Sequence, residues 1–209
     1  MFANDVSRRA NSVRQLLAIS CLALLATGCA TQKAVPLAAM PDWATRTAVL
    51  GAATDWAFSG RIAVSAGEEG FNGKIRWHQQ GDSFKATVSG PLGIGTVRVE
   101  GDGNSIVHTD KDGVRLKLKN AEQDLLQRYG WTIPVTSMRY WALGVPDPTA
   151  TAQTELNAEQ QLAKLEQRDW TVNITRYRES GGQSMPNLLT ATGSATRVRI
   201  VFDKWSFFD

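Results

Sequence analysis

Alternation of apolar and polar side chains, in short runs separated by turn residues, is the feature that most restricts the fold of this chain. The runs 56–64 and 114–118 place apolar side chains at every second position, which is the period of a half-buried strand. Gly81-Asp82 and Gly101–Asn104 supply the residues that tight turns favour. Because hairpins join antiparallel strands, these runs predict an antiparallel meander rather than a parallel α/β sheet. The six predicted strands are residues 56–64, 72–80, 84–88, 96–99, 105–108 and 114–118.

The middle of the chain has the signals of helices. Asn120–Gln123 has the form of a capping box, Gly130 is a stop signal, and a second short helix is predicted from Thr136 to Gly144. The stretch Glu155–Gln167 is ambiguous, because its alanine, glutamate, glutamine and leucine content favours a helix locally. Strand patterns then return at residues 170–177, 185–189 and 197–202.

Strands, two helices and strands again predict a curved antiparallel sheet with a helical insert. A sheet of about ten strands tends to curl, and a helix pair between its halves can close one end of the resulting half-barrel. The interior is then either packed solid or encloses an apolar cavity. Seven tryptophans in 209 residues are compatible with both arrangements, because large rings line ligand pockets as readily as they fill cores.

The N-terminus has the organisation of a secretory signal peptide. Three arginines precede an apolar stretch, residues 16–27, that is too short to span a bilayer. Ala26-Thr27-Gly28-Cys29 follows and is similar to a lipobox, in which the cysteine is acylated and becomes the first mature residue. We therefore predict a lipoprotein that is anchored through Cys29; an ordinary signal peptide with an incidental cysteine is the alternative.

These signals also predict where the segments lie and where the protein resides. Cys21 leaves with the signal peptide, so Cys29 is the single mature cysteine and is better explained as an acylation site than as a nucleophile. Ala30 stands where an aspartate is associated with inner-membrane retention, which favours the outer membrane, with the domain facing the periplasm. The predicted segments are a signal peptide over 1–28, a lipid-anchored tether with about one helical turn over 29–53, and one folded domain over 54–209.

Charge and reactive side chains argue against several function classes. Three arginines and Asp5 precede Cys29, so the mature chain has 20 basic and 19 acidic residues, and nothing indicates a nucleic-acid partner. Two histidines and one mature cysteine leave no ligand set for a transition metal. Gly81–Phe84 resembles the nucleophile block of one esterase class, but no histidine follows His108 to act as the base. We predict a protein without a catalytic site, metal or cofactor.

The segment Ser89–Gly95 joins two predicted strands and is unusually apolar for a turn. Turns usually carry polar residues, whereas this one carries Leu92 and Ile94. These side chains either fold back onto the core or project outward toward a membrane or a partner.

With these patterns in place, the chain resembles the LolB family of outer-membrane lipoprotein receptors over nearly all of the domain. Each motif that carries the similarity is weak alone, and the ordered set is specific. The motifs are Gly60–Val64, Arg76–Gln79, Ser89–Gly93, Ala121-Glu122 with Leu125-Leu126, Gly130–Pro134, Arg139–Gly144 and Val198–Trp205.

The resemblance implies a fold and an activity. The fold is an unclosed antiparallel β-barrel of about eleven strands, capped by helices around an apolar cavity, with Glu155–Gln167 largely loop and strand. The activity is to accept acylated lipoprotein cargo from the soluble periplasmic carrier LolA and to release it into the membrane lipid of the outer membrane, as a monomer. The alternative is a structural outer-membrane lipoprotein with a filled core.

Candidate site residues complete the prediction. Leu92, in the loop that also holds Ile94, matches the position that the family uses to engage the membrane and insert cargo. From apolar character and location, we expect the cavity wall to include Trp77, Phe84, Leu125, Leu126, Trp131, Ile133, Tyr140 and Trp141.

Overall fold

The strands form one antiparallel sheet of eleven members in a computed structural model that describes residues 34–90, 95–102, 105–129 and 132–208. In chain order the strands are β1 (Asp55–Ala66), β2 (Glu69–Gln80), β3 (Ser83–Ser89), β4 (Val97–Gly101), β5 (Ile106–Thr109), β6 (Arg115–Leu118), β7 (Gln153–Leu156), β8 (Leu162–Gln167), β9 (Trp170–Ser180), β10 (Gln183–Thr192) and β11 (Arg197–Phe207). The helices of the described residues are α1 (Trp43–Gly51), α2 (Ala121–Tyr129) and α3 (Val135–Leu143).

The strand order leaves the sheet open. β1 pairs with β2 on one side and with β11 on the other, and the remaining strands follow outward in the order β6-β5-β4-β3-β2-β1-β11-β10-β9-β8-β7. The two edges, β6 and β7, are consecutive strands of the chain, and α2 and α3 come between them in sequence. The prediction of an unclosed antiparallel barrel of about eleven strands with a helical insert is confirmed.

Tight turns join most neighbouring strands, as the sequence predicts. Gly81, with φ of 55°, lies in the turn between β2 and β3, where a left-handed backbone suits a residue without a side chain. The turn between β8 and β9 has Arg168 and Asp169 at φ of 50° and 61°. Positive φ at both central positions fits a hairpin turn, although it is an uncommon conformation for an arginine.

The helix ends follow from their flanking residues. Asn120 Oδ1 accepts a hydrogen bond from Gln123 N at 3.2 Å, which is the predicted N-terminal cap of α2. The reciprocal acceptor is Asp124 rather than Gln123, since Asp124 Oδ2 accepts from Lys119 N at 2.7 Å and from Asn120 N at 3.1 Å. Gly144 ends α3 in the left-handed conformation, with φ of 78°.

Residues 34–53 pack onto the sheet, whereas the sequence predicts a tether with about one helical turn over 29–53. Val35 N donates to Phe207 O at 2.9 Å, which holds this segment against β11. In α1, Arg46 and Leu50 lie four residues apart on one face, and both are buried. The Arg46 guanidinium donates to Ser184 O at 2.8 Å and lies 5.2 Å from the ring centroid of Tyr177. The compact unit therefore starts at Ala34.

The ambiguous stretch Glu155–Gln167 forms β7, a turn and β8. Asn157 holds the turn, because its Oδ1 accepts from Gln161 N at 2.8 Å. Leu162 and Leu165 are fully buried, so tertiary burial outweighs the local helical propensity. The loop-and-strand prediction that follows from the family resemblance is confirmed.

The interior is packed along the middle of the sheet and on the side of β8–β10. Trp56 is fully buried, and its ring stacks on Trp77 with centroids 6.1 Å apart and lies 5.8 Å from Trp205. Trp141 of α3 lies 6.3 Å from Trp170 of β9, among the buried leucines of β8 and β10. The described helices have nine residues each, and none has the length and apolar content of a membrane span.

Candidate functional site

An apolar cavity of about 440 Å³ lies between the first half of the sheet and the helices α2 and α3. This volume is within the range of about 300–1,000 Å³ that is usual for pockets that bind small molecules. The sheet contributes inward-facing aliphatic side chains, which are Ile62, Ile75, Ala86, Val88, Val97, Val99 and Ile200. The helices and their connection contribute Leu125, Ile133, Val135 and Met138.

The described wall of the cavity is mostly aliphatic, because most of the large aromatic rings pack in other parts of the interior. Among the described residues, the aromatic rings in the wall are Phe71 and Trp77. Trp77 stacks on Phe84 with centroids 4.8 Å apart, and its Nε1 donates to Gln79 Oε1 at 3.1 Å. Because its polar atom already has a partner, Trp77 can present an apolar face to a ligand.

Five of the predicted wall residues lie in or beside the cavity. Trp77, Leu125 and Ile133 line it. Phe84 and Tyr140 line a neighbouring groove instead, which meets the cavity at Val135. A prediction based on apolar character cannot separate these two surfaces, because they are in contact.

The other three predicted wall residues lie elsewhere or outside the described residues. Leu126 is 43% exposed, because it is one position beyond the buried Leu125 and points away from the sheet. Trp141 is fully buried, and its Nε1 donates to Gln167 Oε1 at 2.8 Å, so it belongs to the packed side of the interior. Trp131 lies outside the described residues, as do Cys29, Leu92 and Ile94.

Sequence reasoning misses most of the aliphatic wall. Ile62, Ile75, Val88 and Ile200 line the cavity and are not among the predicted site residues. Their signal is the period-two pattern itself, which places each of them on the inward face of its strand. The pattern identifies that face, but it does not show which inward positions adjoin empty space.

One end of the cavity is bordered by Gly90 and Gly95, the two residues that flank the unusually apolar segment 91–94. Ser89 Oγ and Thr96 Oγ1 lie 3.2 Å apart and join the two sides of this connection at its base. The turn Asp110–Asp112 borders the cavity as well. There Lys111 Nζ lies 2.8 Å from Asp112 Oδ2, and this hydrogen bond raises the pKa of Lys111.

The neighbouring groove, of about 840 Å³, is more polar than the cavity. Two of its cations have acidic partners: Arg139 contacts Asp82 at 3.2 Å, and Arg168 contacts Asp147 at 3.1 Å. Burial raises the pKa of Glu122, which also lines the groove, and the charge of Arg168 lowers it to a smaller extent.

The cavity wall suits non-covalent binding of an apolar ligand. Most of this wall is aliphatic. In addition to the turn Asp110–Asp112, the polar side chains of the described lining are Asn72 and His108. Within the part of the chain that the structure describes, no three histidine, cysteine or acidic side chains are grouped closely enough to hold a metal ion. A long apolar chain is the kind of ligand that such a wall favours.

Comparisons with known structures agree with the architecture. A LolA superfamily protein from Nitrosomonas europaea superimposes with a TM-score of 0.51 over 76% of this chain and 88% of its own, at 9% identity. A DUF1329 family protein from Desulfovibrio piger gives a TM-score of 0.51 over 79% of this chain and 90% of its own, at 6% identity. At such low identities these likenesses concern the fold alone.

Sequence comparisons give the family. The outer-membrane lipoprotein LolB of Aeromonas hydrophila is 28% identical over 192 residues, which cover 92% of this chain and 96% of that protein. The protein of the same name from Francisella tularensis subsp. tularensis is 30% identical over 128 residues, 61% of this chain, so that the match spans 62% of that relative's length. A family model described as "Outer membrane lipoprotein LolB" matches residues 54–205. Because this match runs from the residue before β1 into β11, it includes ten strands, most of the eleventh and the helical insert, and the chain belongs to the LolB family of outer-membrane lipoproteins.

Proposed function

We propose that this chain is an outer-membrane receptor that takes acylated lipoproteins from a soluble periplasmic carrier of the LolA type and inserts them into the membrane. The observation that carries the proposal is the aliphatic cavity, bordered by the residues that flank segment 91–94. Membership of the LolB family supports it. The alternative, a structural lipoprotein with a filled core, does not explain such a cavity.

The energetics of acyl chains explain why a cavity suffices. A chain of about sixteen carbons costs on the order of 12 kcal/mol to expose to water, at about 0.8 kcal/mol per methylene. Movement between two proteins therefore needs a continuous apolar path, but it needs no covalent step. If the receptor binds the chain about 1.4 kcal/mol more tightly than the carrier does, the equilibrium favours transfer about tenfold.

The anchor is a separate part of the proposal. Cys29 is the acylated first residue of the mature chain, and Ala30 behind it directs the protein to the outer membrane. Two or three acyl chains hold a protein firmly at a membrane, whereas one chain holds it marginally. Mass spectrometry of the mature N-terminus should find a lipid-modified Cys29, and an unmodified N-terminus would remove the anchor from the proposal.

Transfer in solution tests the receptor role directly. The unanchored form, residues 30–209, retains the whole compact unit that starts at Ala34. Mixed with a carrier loaded with a lipoprotein, it should acquire the cargo, as measured by affinity capture of each protein and detection of the cargo. Cargo without acyl chains is the control and should not be captured. If the unanchored form is folded but acquires no acylated cargo, the receptor role is wrong and the structural-lipoprotein alternative is favoured.

A further inference from the structure

A cationic groove lies on the outward face of the same half of the sheet. It has a volume of about 640 Å³ and is formed by β1, β2, β3 and β11. Four cations line it, Arg61, Lys74, Arg76 and Arg199, and its described lining contains no acidic side chain. All four come from the three neighbouring strands β2, β1 and β11, with Arg61 directly opposite Lys74 in the antiparallel register.

Most of this positive charge has no acidic partner among the residues that the structure describes. Arg61 Nη2 contacts Asp203 Oδ1 at 3.1 Å, and both side chains are more than half exposed. Among the described residues, Lys74, Arg76 and Arg199 form no ion pair. Like charges on directly opposed strand positions reduce the stability of a sheet. An external anion in the groove would relieve that repulsion.

The groove adjoins the cavity at one end. Ile62, Asn72 and Gly90 line both. Gly90 is also the residue that leads into segment 91–94, which carries Leu92 and Ile94. Unpaired cations on the outer side and an aliphatic cavity on the inner side therefore meet at the start of one apolar segment.

We infer that this groove is a docking surface for the anionic headgroups of membrane phospholipids. The inference rests on the proposed function only in taking the membrane as the place where cargo is released. Guanidinium and ammonium groups bind phosphate oxygens through charge-assisted hydrogen bonds, and anionic lipid surfaces attract clusters of lysine and arginine. A bilayer surface held against Lys74 and Arg76 would lie beside Gly90, at the base of segment 91–94.

An acidic protein is the competing occupant, and the composition of the groove favours lipid. The centre of a protein interface is usually apolar and rich in aromatic side chains. The large apolar side chains that are exposed among the described residues are Val114 and Leu126, and neither lines the groove. The apolar residues of the groove are Ile62, Ala63 and Val201, and no aromatic side chain is in its described lining. Four cations without an aromatic centre fit a charged lipid surface better than a protein partner.

Vesicle binding of the unanchored form tests the inference. The test variant is Lys74→Gln with Arg199→Gln, and the matched control is Lys164→Gln with Arg176→Gln, which removes equal charge from β8 and β9. Each lysine or arginine near an anionic surface strengthens binding by about fivefold, so the test pair should weaken binding by about 25-fold. Binding to vesicles that contain phosphatidylglycerol is measured by co-sedimentation, with phosphatidylcholine vesicles as the neutral reference. Circular dichroism verifies the fold of each variant.

The outcomes separate this inference from the proposed function. We expect the test pair alone to lose binding to anionic vesicles, and the remaining binding to fall at 1 M salt, where the screening length is about 3 Å. Equal binding by the test pair and the parent, or equal losses in both variants, would overturn the inference. So would loss of cargo reception from the carrier with vesicle binding unchanged, which would assign the groove to an acidic protein. If the parent receives no cargo yet binds anionic vesicles through the groove, the proposed function fails and the docking surface stands.

Discussion

At the scale of single residues, a buried carboxylate fixes a helix that lines the cavity. Asp147 is buried; its Oδ2 accepts from Ser137 Oγ at 2.8 Å, and its Oδ1 accepts from Thr149 N at 2.9 Å and from Thr149 Oγ1 at 2.6 Å. Arg168 Nε donates to Oδ2 at 3.1 Å. Ser137 belongs to α3 and Arg168 to the turn after β8, so one side chain joins the helix to the sheet. This junction holds Val135 and Met138, also on α3, in the cavity wall.

The pH dependence of stability should report on Asp147. Burial raises the pKa of its carboxyl, but the hydrogen bonds from Thr149 and Ser137 and the charge of Arg168 outweigh burial, so that the pKa lies below its ordinary value. A carboxyl whose pKa is lower in the folded state stabilises the protein above its unfolded pKa, about 3.9. That contribution is lost as the pH falls toward and through the folded pKa.

We therefore expect Asp147→Asn to lower the free energy of unfolding by about 1.5–3 kcal/mol at pH 7 and by less at pH 3, which lies below the unfolded pKa. Urea unfolding at both pH values measures the difference. Asp203→Asn is the control, because Asp203 is in an exposed ion pair with Arg61 and should change the free energy by less than about 1 kcal/mol. Parallel losses at the two pH values would show that the charge of Asp147 does not stabilise the fold.

Alanine substitutions at two glycines, one tightly packed and one open, test how closely β1 approaches β11. Gly60 lies where the pairing of β1 with β11 shifts register, and a methyl group there would collide with the carbonyl oxygen of Val201. Gly51, at the end of α1, has open space around the same position. Thermal and urea unfolding should show that Gly60→Ala costs about 1–3 kcal/mol. Gly51→Ala should be neutral or stabilise by up to about 1 kcal/mol. Equal effects would mean that the approach of β1 to β11 is not tight.

At the scale of secondary structure, the contacts of α1 decide whether residues 34–53 are a tether or part of the folded domain. Its start is capped by Asp42, whose Oδ1 accepts from Thr45 N at 2.7 Å. Its end carries Leu50, which is fully buried, while Ala48 is exposed on the other side. If α1 is part of the folded unit, truncation of Leu50 must destabilise the whole domain.

We expect Leu50→Ala to lower the free energy of unfolding by about 2–5 kcal/mol, the usual cost of emptying a buried leucine site. Ala48→Ser, a change on the exposed side of the helix, should cost no more than about 0.5 kcal/mol. Chemical unfolding monitored by tryptophan fluorescence measures both. If Leu50→Ala matches Ala48→Ser, residues 34–53 behave as a tether after all.

The sequence predicts elements well where the signal is local. Alternation in β1 and β2 and the stop at Gly144 depend on neighbouring residues, and the structure places all three as expected. Local composition fails for β8, where the burial of Leu165 opposite Val172 decides the conformation. It also fails for α1, whose helical face is stabilised by contacts with residues more than a hundred positions away, such as Ser184.

The candidate site is predicted less completely than the fold, for a physical reason. Leu125 and Leu126 are identical in type and adjacent in sequence, yet one lines the cavity and the other is exposed. Trp77 and Trp141 are both buried, but of these two only Trp77 lines the cavity. A cavity is defined by what neighbouring elements fail to fill, and this depends on how the whole molecule packs.

At the scale of the whole molecule, the barrel is divided into a filled side and a hollow side. Toward β8–β10 the interior contains Trp141 and buried leucines, whereas toward β3–β5 it contains the cavity. The filled side stabilises the fold, so the hollow side can change its contents without loss of the core. Such a division suits the proposed binding and release of acyl chains.

Filling the hollow side should abolish binding and preserve the fold. Val88→Trp adds a large ring from an inward position of β3 that lines the cavity. We expect acylated cargo and an apolar fluorophore to bind at least about tenfold more weakly, a loss of about 1.4 kcal/mol or more. Val107→Trp adds the same ring to β5 at a position that does not line the cavity, and should bind normally. Full binding by Val88→Trp would mean that the ligand lies elsewhere.

Release into the membrane should depend on Leu92, since the cavity alone explains reception but not delivery. A leucine gains about 1.5–3 kcal/mol when its side chain leaves water for an apolar environment, and a carboxylate in its place opposes entry. Leu92→Glu should therefore receive cargo from the carrier normally and deliver it to liposomes at least about tenfold more slowly, a loss of about 1.4 kcal/mol or more. Val114→Glu, at an apolar side chain that is 55% exposed in a different turn, is the control and should deliver normally. Because the cationic groove is unchanged in both variants, normal delivery by Leu92→Glu would show that insertion does not depend on Leu92.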